Sequence, residues 1–328
     1  MGCGVVAAYG HLPVLRATEG VEVVLFDPNP ARVDEMKKEF GIARGFTDEA
    51  AFFDAGLDAV AIASPAPAHL ANIRAAAARG LPILCEKPLA LTVEEAREAV
   101  RVASAANVPL FTGFDYRFSP VSQKIRQLIR EGAIGEPAVM RLLYLWNCHG
   151  KFQTLADGTR VVQARREGRM LEGGPMLDCG VHQIDLARWW TGQEVSRVSG
   201  HGAWADEYEA PDHVFAHLEH EGGCHTLVEM SYSYGQVAKE PSPVFTYEII
   251  GARGVIKFDR GAKRFELRND LGTTEFEFAG EKNFAGMYAA FIASLRGEGD
   301  GGLPSGRDGV EAIRIATEAT RQAIQNRK

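Results

Sequence analysis

Three side chains carry the clearest chemistry in this sequence: Lys87, Asp178 and His182. The apolar run Ile83-Leu84-Cys85 ends abruptly in Glu86-Lys87-Pro88, as a buried strand ends on a charged pair and a breaker. In an open parallel sheet that puts Glu86 and Lys87 at the carboxyl edge, where such sheets bind ligands. A lysine there can polarise a reacting oxygen or steady its developing charge. A second segment, Gly173-Gly174-Pro175-Met176-Leu177-Asp178-Cys179-Gly180-Val181-His182-Gln183-Ile184-Asp185, sets Asp178 and His182 four positions apart, with Asp185 three beyond. On a helix these three share one face, and Val181, Ile184 and Trp190 turn to the core. An Asp-His pair at this spacing suits a general base held by a carboxylate, and equally a pair of metal ligands. Taken alone, each motif also fits a solvated turn or a polar helix edge.

Gly2-Cys3-Gly4-Val5-Val6-Ala7 has the G-x-G-x-x-A form of a dinucleotide fingerprint, whose glycines let backbone approach a pyrophosphate at a helix N-terminus. Val21 to Phe26 reads as the following strand and ends in Asp27, placed to take the 2′-hydroxyl of an adenosine ribose. A free carboxylate repels a 2′-phosphate, so NAD is expected rather than NADP. Only Met1 precedes Gly2, although the doubly wound pattern needs a strand there; the expectation is a truncated first strand and a reading frame that begins upstream.

The elements that must position these residues follow from texture. Up to residue 118, short β-rich runs (Glu22 to Phe26, Asp58 to Ala63, Leu81 to Cys85, Val108 to Thr112) alternate with helical stretches near Pro30 to Phe40, Pro67 to Arg79 and Val93 to Ala105. That is the pattern of a parallel sheet with crossover helices. After it come a helix (Val121 to Glu131), a long strand (Ala138 to Trp146), a polar Gly- and Arg-rich stretch to Glu172, and alternating runs from Val195 to about Phe278, the last of them Thr274 to Phe278. Two helices, Asn283 to Arg296 and Arg307 to Gln325, close the chain. The expectation is an α/β protein: a Rossmann dinucleotide-binding domain over 1–118, then an α/β domain over 119–328 with an open, mostly antiparallel sheet.

Composition excludes several classes. A net charge of -7, from 36 basic and 43 acidic residues without long single-sign blocks, offers no stripe for a nucleic acid backbone or an anionic membrane. No apolar run approaches a membrane span. Five scattered cysteines without a CxxC pair fit a reducing, cytoplasmic setting. Cys148, His149, Asp178, His182, Cys224 and His225 are ligand types, but their spacings match no closed zinc pattern, and Cys224 and His225 are strand neighbours that face opposite ways, so no metal is expected.

The ordered set Gly2-Cys3-Gly4, Ser64-Pro65 with His69, Glu86-Lys87-Pro88, Arg117-Phe118, and Gly173-Gly174 leading to Asp178, Gly180, His182 and Asp185 resembles the glucose-fructose oxidoreductase, inositol dehydrogenase and MocA-like family over nearly the whole chain. The resemblance implies that Lys87, Asp178 and His182 form the catalytic group. It implies a cofactor site of Gly2, Cys3, Gly4, Val5, Val6, Asp27, Ser64, Pro65, Ala66, His69, Glu86 and Lys87, with a cis Lys87-Pro88 bond. It further implies an open sheet that packs against another subunit, in a homodimer or homotetramer. Given that placement, His182 removes the proton of a sugar or polyol hydroxyl as hydride leaves the same carbon for nicotinamide; Asp178 fixes the imidazole and Lys87 supports the oxygen. Substrate contacts are expected from these three and from Trp146 and Arg169, which bracket a stretch that also holds His149, Lys151, Arg160, Arg165 and Arg166. Those cations suit a carboxylated or phosphorylated sugar, and equally a solvated loop. Asp115 stands where similar sequences often carry Asn. Two alternatives stay open: an NAD-dependent glycoside hydrolase with transient oxidation, and a dinucleotide-binding regulator without turnover, against which the retained Lys87, Asp178 and His182 argue.

Overall fold

Short apolar runs closed by glycine or proline build the sheets at the start of the chain. The computed structural model describes residues 1–146, 152–154, 157, 159–162, 164–233, 240 and 242–327. Its contacts divide the chain into two compact units, Met1–Phe118 with Lys282–Glu311, and Ser119–Glu281 with Ala312–Lys328.

In the first unit a π-type turn (Ala7–His11) leads into α1 (Leu12–Ala17). Then follow β1 (Val24–Phe26), α2 (Pro30–Phe40), β2 (Arg44–Phe46), α3 (Glu49–Phe53), β3 (Val60–Ile62), α4 (His69–Ala77), β4 (Ile83–Cys85), α5 (Val93–Ala105) and β5 (Leu110–Thr112). β1 and β2 pair in parallel, as do β3, β4 and β5 with β4 in the middle. Met1 and Gly2 bridge the two sets, since Gly2 N donates to Phe26 O at 2.8 Å and Met1 O accepts from Ala63 N at 2.8 Å. They stand where the doubly wound pattern has its central strand. Local chemistry sets the helix ends. Asn29 caps α2 by accepting from Ala31 N at 3.0 Å, and Gly41 ends it at φ 62°. The Thr92 side chain caps α5 by accepting from Glu95 N at 3.2 Å.

The second unit holds α6 (Pro120–Arg130), β6 (Pro137–Leu145), the hairpin of β7 (Phe152–Thr154) and β8 (Arg160–Val162), α7 (Ala164–Leu171), a π-type turn (Met176–Gly180) and α8 (Val181–Thr191). Then come β9 (Val195–Ala203), β10 (His213–His220), β11 (His225–Ser231), β12 (Val244–Gly251), β13 (Gly254–Asp259), β14 (Arg264–Asn269) and β15 (Gly272–Glu275). In chain order α9 (Phe284–Leu295), which belongs to the first unit, and α10 (Gly306–Gln325) follow. The main sheet runs β15-β14-β13-β12-β6-β11-β10-β9, antiparallel except where β6 meets β11. Alternation gives it two faces: Val214, Ala216, Leu218, Val228 and Met230 are buried, whereas Phe215 and Leu227 are 44% exposed on the outer face. Each fully buried large apolar side chain contributes about 1.5–3 kcal/mol. Among the described residues no helix is long and apolar enough to cross a membrane.

Several expectations are refined. The polar stretch before Glu172 contains the β7–β8 hairpin and α7, where charged residues hide the periodicity. The run expected as a strand over Thr274 to Phe278 is a strand only over Gly272–Glu275. The sequence reading ran the second domain unbroken from 119 to 328, but Lys282–Glu311 clusters with the first unit. The cause is apolar packing: Phe284, Met287, Tyr288 and Phe291 of α9 join Leu84, Phe111 and Phe118 in one core.

Candidate active site

The first unit shapes a cradle from the fingerprint. Gly2 has φ 89°, and a Cβ there would stand 2.4 Å from Ser64 N, so only glycine lets the loop approach β3. At Gly4 a Cβ would meet nothing within 4 Å, and Val5 is exposed. The loop from Gly2 to Val6 is thus tight against the sheet on one side and open on the other, which fits a pyrophosphate at the start of the Ala7–Ala17 helical stretch. Cys3 N donates to Asp27 Oδ2 at 2.8 Å, and Asp27 Oδ1 accepts from Asn29 N at 2.9 Å, so the carboxylate that ends β1 ties loop to strand. The ring of His69, 1% exposed, spans Ser64 O at 2.8 Å and Pro88 O at 2.9 Å. It clasps the segments that follow β3 and β4, including Pro65, buried Ala66 and the cis Lys87-Pro88 bond. Burial holds its pKa below the usual imidazole value, outweighing the two carbonyls and Glu86.

Glu86 ends β4 and is buried. Its Oε1 lies 3.0 Å from His11 Nε2, and its Oε2 accepts from Lys87 N at 3.1 Å. His11 Nδ1 lies 2.6 Å from the Tyr288 hydroxyl. Burial pushes the Glu86 carboxyl up, but the His11 hydrogen bond, the Lys87 charge and the Lys87 amide together hold it below the usual carboxylate range. Lys87 itself is half-buried. Near it in this unit, Lys282 donates to Tyr9 Oη at 3.0 Å. Burial lowers the Lys282 pKa and Lys87 repels its ammonium, yet Tyr9 and Asp115 leave it raised overall.

The second unit brings Asp178 and His182 onto consecutive turns, both largely buried at 8% and 5% exposure. Asp178 lies in the π-type turn and His182 in the first turn of α8, so the segment is not one regular helix; such π-turns recur at functional sites. Gly173 and Gly174, at φ 120° and 75°, turn the chain into it, and a Cβ on Gly180 would strike Met176 Sδ at 2.5 Å. Asp178 Oδ2 accepts from the Tyr232 hydroxyl in a short hydrogen bond and from Cys179 Sγ at 3.7 Å. Arg169 Nη1 stands 3.5 Å from Asp178 Oδ1 and 3.3 Å from Glu172 Oε2. Burial disfavours that guanidinium, but Asp178 and Glu172 outweigh it and raise its pKa. Asp185 is fully buried. Trp146, 38% exposed, stacks on Tyr144 at 5.6 Å, and its backbone N–H donates to Ser231 O at 2.9 Å, one residue from Tyr232. Asp178 thus carries a tyrosine hydroxyl and a cation on its two oxygens, and His182 follows it by four positions.

Of the other expected contacts, Cys148, His149 and Lys151 lie outside the described residues, Arg160 lies in β8, and Arg165 and Arg166 lie in α7. Cys224 is buried and its neighbour His225 exposed. Among the described residues no three His, Cys, Asp or Glu side chains group to hold a metal ion. Sequence spacing misses Tyr232, which lies 54 positions from Asp178, and the pairing of His11 with Tyr288 across 277. Contacts that distant leave no local period.

Residues 1–114 match the family described as "Oxidoreductase family, NAD-binding Rossmann fold", and residues 122–257 match the GFO/IDH/MocA C-terminal domain. D-apiose dehydrogenase of Paraburkholderia graminis is 31% identical over 338 residues, spanning 98% of this chain and 85% of that protein. The scyllo-inositol 2-dehydrogenase (NAD(+)) of Bacillus subtilis is 29% identical, spanning 78% of this chain and 71% of that one. Among solved structures, an oxidoreductase from Agrobacterium radiobacter in complex with NAD+, L-tartaric acid and magnesium superposes with a TM-score of 0.81 at 24% identity, covering 99% of this chain and 95% of that one.

Proposed function

The chain belongs to the GFO/IDH/MocA oxidoreductase family, with an NAD-binding Rossmann fold, and from this premise we propose that it oxidises or reduces a sugar, polyol or sugar-derived substrate at a CH–OH carbon. The observation that carries the reading is the burial of Asp178, with Tyr232 and Arg169 on its oxygens, and of His182 four positions on, in a chain whose other unit builds a dinucleotide cradle. The names of relatives support the substrate class: D-apiose and scyllo-inositol are both polyhydroxylated.

NAD, held by the fingerprint loop, Asp27 and the segments at Ser64 and Glu86, supplies the hydride acceptor. His182 takes the hydroxyl proton in oxidation and returns it in reduction. Asp178, oriented by the Tyr232 hydroxyl and Arg169, holds the charge that makes proton uptake by His182 favourable. The Lys87 ammonium steadies the oxygen as its proton leaves. Arg169 and Trp146 are assigned to the substrate, and Asp185 to packing. The four described cysteines are free thiols, which suits a reducing cytoplasm. The outward Phe215 and Leu227 suit a homo-oligomer built on the sheet's outer face.

The test is His182→Asn, with sugars and polyols screened for NADH production. The variant is expected to lose about 10²–10⁴-fold in kcat while its NAD affinity, read by calorimetry, stays within about twofold. Unchanged turnover would overturn the assignment of the base.

A further inference from the structure

Tyr288 is 1% exposed, and among the described residues its hydroxyl reaches His11 Nδ1 at 2.6 Å. A buried hydroxyl proton without an acceptor is costly, so Tyr288 donates and Nδ1 accepts. The ring proton then sits on Nε2 and points at Glu86 Oε1, 3.0 Å away. Lys87 N donates to the other oxygen at 3.1 Å. Both carboxyl oxygens therefore face donors, and a proton on either would set donor against donor. Tyrosine neutral, imidazole neutral and carboxylate ionised is the state that satisfies every contact. Gly113 keeps the approach clear, because a Cβ there would stand 3.2 Å from Oε1.

The result is a fixed negative charge at the carboxyl end of β4, the middle strand of its parallel set, with a neutral histidine as its partner. Lys87 is adjacent but half-buried, so solvent screens its charge more than that of Glu86, which is 7% exposed. An oxidised nicotinamide ring is cationic and a reduced one neutral. We infer that Glu86, kept ionised by the positioning residues His11 and Tyr288, makes this site prefer the oxidised dinucleotide to the reduced one. This rests on the proposed function, in which the nicotinamide ring lies at this edge.

The experiment is calorimetric titration of the full chain with NAD+ and with NADH, reading the ratio of the two Kd values in wild type, Glu86→Gln and Tyr288→Phe. Glu86→Gln is expected to shift that ratio about tenfold or more towards NADH, the scale one unit charge gives across several ångströms of protein interior. Tyr288→Phe keeps the carboxylate but removes the donor that fixes Nδ1 as an acceptor, so its ratio is expected to shift the same way by a smaller factor. That second variant decides the matter if Glu86→Gln does not fold. Binding of both dinucleotides with ratios unchanged in the folded variants overturns the inference and leaves the functional reading standing; failure of the folded wild type to bind either overturns both.

Discussion

Asp178 is held less by its neighbours in sequence than by Tyr232, whose hydroxyl donates to Oδ2 while Arg169 faces Oδ1. Two donors on opposite oxygens fix the plane of a buried carboxylate, and that plane governs what it can orient. Tyr232→Phe removes one of them. A stability loss of about 1–3 kcal/mol is expected from the lost donor to a buried carboxylate, with kcat falling and NAD affinity unaltered; denaturant melts and steady-state kinetics would show it, and an unchanged kcat would free Asp178 from Tyr232. The sequence makes Asp178 and His182 visible as a spaced pair. It carries no mark of Tyr232, because a partner 54 positions away is chosen by the path of β11 and not by any period.

Among the elements, β9 and α10 pack so closely that a Cβ on Gly200 would stand 1.9 Å from Ala319 O. Backbone on backbone cannot yield as a side chain can. Gly200→Ala is therefore expected to destabilise the second unit by about 1–3 kcal/mol, read as a lower Tm; a stability equal to wild type would show that strand and helix separate easily. The clasp across β3 and β4 yields a pH dependence. Burial depresses the His69 pKa below its ordinary 6.5. As pH falls below that value the unfolded chain takes up a proton that the folded chain refuses, so stability is full above this range and is lost on acidification. The slope is at most about 1.4 kcal/mol per pH unit from one such group. His69→Gln should flatten the Tm profile between neutral and mildly acidic pH, and an unaltered slope would assign it to other groups. The sequence identified most of these elements from alternation, and the structure shows the caps at Thr92 and Asn29 that fix two of the helix starts. It missed β2, α3, the β7–β8 hairpin and α7, which are too short or too charged to carry a periodic signal.

At the scale of the whole molecule, the main sheet leaves an outer face with Phe215 and Leu227 half in solvent, flanked by His217, His225 and the His213–Glu229 pair. Phe215→Asp is expected to lower the mass measured by light scattering, without loss of secondary structure, if copies of the chain join through this face; an unchanged mass would move the interface elsewhere. What the sequence determined by itself was the class of fold and the spacing of the candidate residues. A fingerprint ending near Asp27, a strand ending in Glu86-Lys87, and an Asp-His spacing are short-range facts, set by backbone geometry within a few residues. The tertiary structure alone decided that α9 packs with the first unit, that His69 spans two loops, and that His11 links Tyr288 to the buried Glu86. Those outcomes follow from which apolar faces bury against each other and which buried donors find acceptors, and both are settled between residues far apart in the chain.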